Sequence, residues 1–564
     1  MEFTLIDGLR VIGALGLFIY GIKIMSESIQ KSFGSLLKNL INIMTKNRFT
    51  GILAGFIITS LVFSSSATTV MAVSFVNIGL ISLAESVSIM LGANIGTTII
   101  TWLVSVFGFN ANFSTIYLII FALGTPLIFS GKQHLKYFGG FVFGVALLFL
   151  GLSELLNTVP NFQNSQYLVD FYEQSVPLGF FTNIFFVLIG AMLAVIIQSS
   201  SASIVFTQVL CFSNIIPFEV AIPMVLGQNF GRTINTEMAS ISGNVFAKRS
   251  ARIHSLVNIL GLIWMTIALV FIPINDGLDY IMVNLFGMAS VYESISAPIG
   301  IALFHTLYNI MNVSLMVWFI PQLVRLATNT IKSRGETDEA FRLERISVGI
   351  MSTPEMSIIE AQKEVAKFGE LVKRMNTFTQ SLLTGRNMNN IQSTIQKVKK
   401  YEIITDKIER DVADYLASIS QGEMSENTSI RIRGMLSIIG DLERIGDIYY
   451  QISKILERKV QNKIWFTPEQ RQNIMEMLAI LEEALDIMCK NLDKNYSEVS
   501  KTEALAKEQQ LNAFRKKIRK AHFKNVEKGE YDFKTATVYS DLFNYLEKVG
   551  DHVINVTEGV MGEI

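Results

Sequence analysis

Long apolar runs separated by short polar segments fill the chain up to about Val324, whereas charged residues recur every few positions from Lys332 onward. Runs of this kind are typical of helices that cross a bilayer, which need about 20 residues each. The later part has apolar residues at heptad-like spacing, and its helices are expected to break at Gly385, Gly422, Pro468 and Gly529. The pattern predicts an all-α protein with a polytopic membrane domain at 1–330, a linker at 331–356 and a soluble helical domain at 357–564.

Composition agrees with this division and excludes some classes of protein. Only 17% of the residues are charged, against about 25% in soluble proteins. The formal net charge of zero argues against a nucleic-acid partner. The cysteines, Cys211 and Cys489, fall in different predicted domains, so no disulfide framework is expected. Acidic residues before Arg10 argue against a cleaved signal peptide and favour a retained helix over 11–25.

Two short motifs occur twice in the apolar part. The run SSSA begins at Ser64 and again at Ser199, and a second motif begins at Gly92 and again at Gly227. Both motifs recur 135 residues later, so their order and spacing are preserved. This duplication predicts two repeats, one at about 9–136 and one at about 137–275, with extra helices to 325.

Charges between the apolar runs differ in sign between the repeats. The predicted loop at 31–48 contains only basic residues, whereas its counterpart at 166–183 contains only acidic ones. The uncharged stretch 107–115 corresponds roughly to 242–252, which is basic. Since cytoplasmic loops are enriched in Lys and Arg, the repeats are predicted to be inverted across the bilayer, as in many secondary transporters. The N-terminus is then outside and the C-terminal domain is cytoplasmic.

The serine clusters are predicted to lie in re-entrant helical hairpins. The charge-free stretch 49–84 is too long for one span, and only its residues 51–63 precede the first serine cluster. A helix, a turn at the serines and a returning helix would fit, provided that the backbone lines a cavity or is buried in protein. Alternatively, the serines only bond to carbonyls of their own helix.

A serine cluster at the start of a half-helix suits an anion such as phosphate, because hydroxyls stand beside free backbone N–H groups at the positive end of the helix dipole. Two inverted clusters could hold one oxyanion from both sides. Neutral oxygens for sodium are offered nearby by Asn94, Asn229, Gln198, Thr68, Thr69 and Thr97. No enzyme is predicted, because neither cluster is a G-x-S-x-G elbow. The chain also lacks an ATP-binding P-loop, so an ion gradient should supply the energy.

Other polar residues in the apolar part allow two interpretations each. His254 with Asn258, and His305 with Asn309, share one helix face at i,i+4; they hold helices together, or they relay protons or contact substrate. Placing an arginine such as Arg232 within a membrane domain costs free energy, so Arg232 is a candidate functional residue. It balances phosphate charge, or it lies at a cytoplasmic half-helix end or forms an ion pair with Glu237.

The segments VFSSSATT, GANIGTT, IIQSSSAS and GQNFGRT resemble the QSSS repeats and the glycine–asparagine motifs of the type II sodium–phosphate cotransporters, over about residues 1–325. The resemblance implies sodium-coupled movement of phosphate, with Gln198 and nearby Asn and Thr residues for sodium. Phe63 stands where the family has glutamine, and Arg232 where it usually has threonine. We interpret the two departures as linked, with the guanidinium replacing one sodium ion. The serines implied to hold phosphate are Ser64, Ser65, Ser66, Ser199, Ser200 and Ser201.

The C-terminal part is also duplicated, because LERIGD at 442–447 recurs as LEKVGD at 546–551. Two three-helix bundles are predicted, and the part resembles the PhoU family. That resemblance implies that E/D-x-x-x-D pairs bind divalent or iron-type metal ions. A fourth such pair is broken by Asn512. In the alternative interpretation the acidic face pairs with Lys407 and Arg444. The pairs that keep the pattern are Glu402/Asp406, Glu443/Asp447 and Glu547/Asp551.

These observations predict a sodium-coupled secondary transporter of inorganic phosphate in a bacterial inner membrane, with a cytoplasmic PhoU-like regulatory domain. The expected partners are phosphate, sodium as the coupling ion and the lipid bilayer, and a homodimer stays open. Two alternatives remain: a carrier for another anion, such as sulfate or an organic acid, and a membrane-tethered phosphate sensor. The direction of net flux and the sodium-to-phosphate ratio are not determined by the sequence.

Overall fold

The computed structural model describes residues 5–44, 47–77, 81–109, 116–159, 180–241, 243–332, 354–385, 388–420, 424, 426–494 and 499–562. The chain divides into two compact units, unit one at 1–353 and unit two at 354–564. Throughout the described residues the secondary structure is helical and no strand is present. The predicted all-α class is therefore confirmed.

Unit one is built from fifteen α-helices within its described residues, and their lengths follow the apolar runs. A short π-helical turn at Ile281–Leu285 and a 3-10 turn at Val317–Phe319 connect some of them. The helices are α1 Leu5–Met44, α2 Arg48–Val62, α3 Ser65–Asn77, α4 Leu83–Gly96, α5 Thr98–Phe107, α6 Ile116–Ile128, α7 Gln133–Thr158, α8 Phe180–Ile197, α9 Ser200–Phe212, α10 Phe218–Gly231, α11 Thr233–Ser240, α12 Val245–Phe271, α13 Ile274–Tyr280, α14 Ala297–Met316 and α15 Ile320–Thr330.

Six helical segments among the described residues are long and apolar enough to cross a membrane. They are Leu5–Ser32, Leu83–Phe107, Gln133–Thr158, Phe180–Ile197, Val245–Phe271 and Ala297–Thr330. Shorter apolar helices accompany them, including α2 and α9, which lead into or out of the serine clusters. Large apolar side chains such as Leu118, Ile196 and Phe271 remain exposed on their surfaces. Unit one therefore has the composition and helix lengths of a multi-pass membrane protein.

Some predicted loops are helical. The segment 31–48 was expected to be a loop, but α1 continues to Met44. The loop prediction was wrong because lysines mark the end of an apolar run, but the helix itself can continue beyond that run with polar residues. The basic residues Lys248–Arg252 lie in the first turns of α12. The acidic counterpart at 170–173 lies outside the described residues.

The duplicated motifs have the same local structure in both copies. Each serine cluster follows a left-handed residue, Phe63 with φ 54° and Gln198 with φ 56°. Because neither residue is glycine, this conformation is strained and forms a sharp turn between two helices. Gly92 packs against the Ile52 carbonyl and Gly227 against the Val187 carbonyl, so closely that a Cβ atom would overlap the oxygen. The predicted turn at each serine cluster is present; the inversion of the copies across a membrane stays a prediction.

Six long helices make up the described part of unit two. The predicted break at Gly422 lies outside the described residues, whereas Gly385 and Gly529 fall between helices and Pro468 begins one, as predicted. Thr467 and Gln470 form a capping box at that start, each side chain bonding to the backbone N–H of the other. The helices are α16 Pro354–Thr384, α17 Met388–Ser420, α18 Glu426–Gln461, α19 Pro468–Asp493, α20 Thr502–Glu527 and α21 Phe533–Met561.

Candidate functional site: a buried polar network between the repeats

The first serine of each cluster caps the helix that follows. Ser64 Oγ accepts a hydrogen bond from the N–H of Ala67 at 3.2 Å, and Ser199 Oγ accepts one from Ala202 at 3.3 Å. Ser65, Ser200 and Ser201 follow in the first turn and are buried, whereas Ser66 is half-buried. The clusters therefore occupy helix N-termini, as predicted, and part of their hydrogen-bonding capacity already serves the caps.

Helices from the two copies pack against each other around these clusters. Thr69 on α3 lies 3.2 Å from Thr236 on α11, joining their hydroxyls across copies. On the equivalent pair of helices, four residues beyond the matching positions, Gln208 on α9 donates to Ser105 Oγ on α5 at 2.7 Å. The half-helix of each copy thus contacts the helix after the glycine–asparagine motif of the other copy.

Arg232 enters the first serine cluster from the second copy. It is 2% exposed, and its Nη1 donates to Ser65 Oγ at 3.3 Å while Nη2 donates to Asn258 Oδ1 at 3.4 Å. Ser65 Oγ also accepts a bond from Thr97 Oγ1 at 2.9 Å. The sequence singled out Asn258 with His254, but it predicted neither the bond of Arg232 to Asn258 nor the bond of Arg232 to Ser65.

Of the alternative interpretations, the ion pair between Arg232 and Glu237 is wrong, whereas Arg232 does lie at a helix end, as the C-cap residue of α10. Glu237 Oε1 instead accepts from Arg252 Nε at 3.0 Å and from Ser255 Oγ at 2.8 Å. Among the described residues, no carboxylate lies within ion-pair distance of Arg232. The structure therefore buries a guanidinium that has hydrogen bonds but, within the described residues, no carboxylate as counter-charge.

The two histidine–asparagine pairs lie on equivalent helices. Asn258 and Asn309 each donate Nδ2 to the carbonyl of their own histidine, at 2.9 Å and 2.7 Å. The residue after each histidine also contacts matching positions of the two copies. Ser255 donates to Glu237, and Thr306 accepts from Trp102 Nε1 at 2.8 Å. Glu237 and Trp102 are 135 residues apart, which is the offset between the copies. The similar runs HSLVN and HTLYN were a signal for this relation that the sequence interpretation did not use.

The histidines differ in their surroundings. His305 Nε2 lies 3.2 Å from Asn229 Oδ1 and its Nδ1 lies 3.5 Å from Thr101, so His305 makes the predicted interhelical contacts. His254 is 2% exposed, and neither ring nitrogen has a hydrogen-bond partner in the described part of the chain. Asn94 donates to Asn258 Oδ1 at 3.5 Å, while its own Oδ1 has no partner there.

The residues predicted for sodium are dispersed around this network. Thr68 accepts from Thr59 at 2.9 Å, Thr97 bonds Ser65, and Asn229 donates to the Val225 carbonyl at 3.2 Å. Gln198 has an exposed side chain, and its backbone carbonyl accepts from Asn235 at 3.4 Å. The structure thus places these oxygens in one polar region without gathering them around a single point.

Three carboxylates in unit two come close together. Ligand atoms of Glu402, Asp406 and Asp447 lie within 4.8 Å of one another, where they could hold a metal ion. Burial, together with Asp447 and Asp406, raises the pKa of Glu443 to about 7. Burial and the neighbouring carboxylates also raise the pKa values of Glu402 and Asp447. Such crowding of like charges is relieved by a cation, and an all-oxygen set suits magnesium or a transition metal.

The first half of unit two fits a metal better than the second. In the described residues, neither Lys407 nor Arg444 forms an ion pair with the first carboxylate group. In the second half, Glu547 is held by an ion pair with Arg515, and Asn512 donates to Glu508 Oε1 at 2.7 Å. Burial raises the pKa of Asp551 most, and the neighbouring carboxylates of Glu547 and Glu508 raise it further. Arg515 there supplies the positive charge that a metal would supply in the first half.

Comparison with known proteins agrees with both parts of this description. Residues 17–157 match the family described as Na+/Pi-cotransporter, and residues 365–456 match the PhoU domain. The chain is 24% identical over 483 residues to "Putative inorganic phosphate export protein YjbB" of Escherichia coli (strain K12), covering 85% of this chain and 82% of that protein.

Two further relatives match parts of the chain. "Uncharacterized protein YqeW" of Bacillus subtilis (strain 168) is 26% identical over 43% of this chain and 76% of its own length. "Sodium-dependent phosphate transport protein 2A" of Rattus norvegicus is 31% identical over 17% of this chain and 15% of its own length. No solved structure matches the chain. The chain therefore carries a segment of the Na+/Pi-cotransporter family followed by a segment of the PhoU domain family.

Proposed function

We propose that unit one transports inorganic phosphate coupled to sodium, and that phosphate binds where Arg232 meets the first serine cluster. The observation that carries this proposal is the buried guanidinium without a carboxylate partner. A buried charge is costly unless it is compensated. A phosphate between the N-termini of the half-helices would supply the counter-charge and would accept bonds from Ser65, Ser66, Ser200, Ser201 and Arg232. Ser64 and Ser199 would hold the turns at which it binds.

We assign sodium to neutral oxygens of Thr68, Thr69, Asn229 and Gln198. Hydroxyl and amide oxygens coordinate a hard cation without adding charge. Asn94 and Thr97 are set apart from this group, because each shares an acceptor with the Arg232 guanidinium: Asn258 Oδ1 for Asn94 and Ser65 Oγ for Thr97. A sodium ion so near a guanidinium would be repelled. The names of the relatives support phosphate as substrate, and one of them supports sodium dependence.

The direction of net transport follows the gradients, because coupled transport is reversible. The name of the E. coli relative refers to export, so phosphate efflux is a proposed use of the same cycle. We place unit one in a bacterial inner membrane, with the N-terminus outside and unit two in the cytoplasm, since the basic helix start at Lys248–Arg252 then faces inside. Unit two is proposed to regulate transport, with a metal ion at Glu402, Asp406 and Asp447.

Phosphate uptake into proteoliposomes tests the proposal. Purified full-length protein is reconstituted, and labelled phosphate uptake is compared under an inward sodium gradient and an equal potassium gradient. We expect uptake to depend on sodium and to be lost in Arg232→Met. Phosphate that stabilises the protein without crossing the membrane would favour a sensor instead. Uptake of sulfate or organic acids in preference to phosphate would favour a different anion carrier.

A further inference from the structure

The amide of Asn258 has one orientation in this network. Its Nδ2 donates to the carbonyl of His254 at 2.9 Å, so its Oδ1 faces Arg232 Nη2 at 3.4 Å and Asn94 Nδ2 at 3.5 Å. A guanidinium can only donate hydrogen bonds, which requires an oxygen at this position. Asn94 must therefore also present its donor, Nδ2, to Asn258. Its oxygen is left for something else.

Asn94 Oδ1 is consequently a buried acceptor without a donor. Asn94 is 0% exposed, and within the described residues its Oδ1 has no hydrogen-bond partner. Arg232 Nε likewise has no acceptor there. Unpaired buried polar atoms are rare in folded proteins and indicate a missing partner. A single partner for both atoms would have to accept a hydrogen bond from a cation and also donate one to an amide oxygen.

The matching asparagine in the second copy is occupied. Asn229 Oδ1 lies 3.2 Å from His305 Nε2, and its Nδ2 donates to the Val225 carbonyl at 3.2 Å. Both copies have an asparagine and a histidine at equivalent places. The presence of these residue types therefore does not explain why Asn94 Oδ1 lacks a donor. Gln228 Oε1 and Asn309 Oδ1 are also unpaired within the described residues, so the contrast between the copies concerns only the asparagine of the glycine–asparagine motif.

We propose that Asn94 Oδ1 accepts the hydrogen bond of a P–OH group, so that the site selects protonated oxyanions and rejects sulfate. This inference rests on the proposed phosphate site and adds its selectivity. Phosphate retains at least one proton at neutral pH, because its last proton is lost only in strongly alkaline solution. Sulfate has no proton at that pH and would face the amide oxygen with acceptors only. Sites built to bond a substrate hydroxyl reject analogues that lack it by about 10⁴–10⁵.

His254 does not carry this selectivity, although it is one helical turn from Asn258. A neutral imidazole has one donor and one acceptor nitrogen and can meet either type of oxyanion. An amide oxygen can only accept. Asn94 is therefore the selectivity-determining residue, and Arg232 supplies the charge that both anions need.

Competition on the unmodified protein is the first test. Uptake of labelled phosphate into proteoliposomes is measured with added arsenate, which keeps a proton at neutral pH, or with added sulfate. We expect arsenate to compete at concentrations similar to phosphate, and sulfate to have no effect at about 100-fold excess. Competition by sulfate equal to that by arsenate would overturn the inference. Absence of any phosphate uptake would instead refute the proposed function.

Matched variants locate the selectivity. Asn94→Ser provides a hydroxyl that can donate as well as accept, so we expect the phosphate-to-sulfate preference to fall about tenfold or more. Asn229→Ser, at the equivalent position, should lower the apparent affinity for sodium, to which Asn229 is assigned, and leave the phosphate-to-sulfate preference unchanged. An unchanged preference in Asn94→Ser, or an equal loss in both variants, would overturn the inference. A weaker apparent affinity for sodium as the only change in Asn94→Ser would also overturn the inference, because Asn94 would then be a sodium ligand. The arsenate and sulfate comparison stands if that variant does not fold.

Discussion

Replacement of Arg232 by methionine should change stability and phosphate binding in opposite ways. The guanidinium is 2% exposed and has bonds to Ser65 and Asn258 but no carboxylate partner among the described residues. Each buried ion costs several kcal/mol in desolvation, and an apolar side chain of similar volume is often neutral or stabilising by about 1–4 kcal/mol. We therefore expect Arg232→Met to unfold at the same temperature as the wild type, or at a higher one, without phosphate.

Phosphate should stabilise the variant far less. Losing a hydrogen bond to a charged group costs about 1.5–3 kcal/mol, which weakens binding about 10- to 100-fold. At a phosphate concentration 100 times its own dissociation constant, the wild type gains about 2.7 kcal/mol of stability; a 100-fold weaker variant gains about 0.4 kcal/mol. Thermal unfolding in detergent with a phosphate titration measures both effects.

A second buried arginine provides the control. Arg249 is 8% exposed, donates Nε to the Ile331 carbonyl at 3.0 Å and lies over the Phe246 ring. Arg249→Met should lower stability and leave phosphate binding unchanged. Arg232 would be a structural residue, and not a phosphate ligand, if Arg232→Met unfolds at a lower temperature without phosphate yet keeps the full phosphate-induced rise in unfolding temperature.

Three further predictions concern packing, metal binding and domain function. Gly92→Ala and Gly227→Ala should each give little folded protein by size-exclusion chromatography, because a Cβ would overlap a helix carbonyl; alanine at the uncrowded Gly13 should be tolerated. Calorimetry should show that manganese binds unit two more tightly at about pH 8 than at about pH 6. Metals need ionised carboxylates, and Glu443, whose pKa is raised to about 7, is protonated below that pH. Glu443→Gln should flatten this pH dependence, and a steep dependence in that variant would contradict the prediction. Removal of residues 340–564 should leave sodium-driven phosphate uptake but alter its regulation; a folded yet inert truncation would show that unit two is required for transport.

Local patterns predicted the helices and the serine turns well. Apolar runs, glycines and a proline act within a few residues, so the six helices of unit two and the described breaks between them followed from the sequence. The turns before Ser65 and Ser200 followed from duplicated motifs in charge-free stretches. The loop predicted at 31–48 failed, because α1 extends to Met44 and a charge excess does not mark where a helix ends.

Contacts distant in sequence were not predicted. Arg232 bonds Ser65 across 167 residues and Asn258 across 26. Its expected partner Glu237 is closer in the chain, but Arg252 and Ser255 on α12 occupy that carboxylate. The choice between these partners depends on how α10, α11 and α12 pack, which a single sequence does not specify. The open oxygen of Asn94 follows from the same packing.

The central claim, that sodium and phosphate move together, is tested most directly by reciprocal coupling. Proteoliposomes containing the full-length protein are given an inward phosphate gradient with equal sodium on both sides, and labelled sodium is followed with the membrane potential clamped. We expect labelled sodium to accumulate inside while the phosphate gradient lasts, and Arg232→Met to abolish the accumulation. Phosphate entry with no accumulation of sodium would contradict the claim.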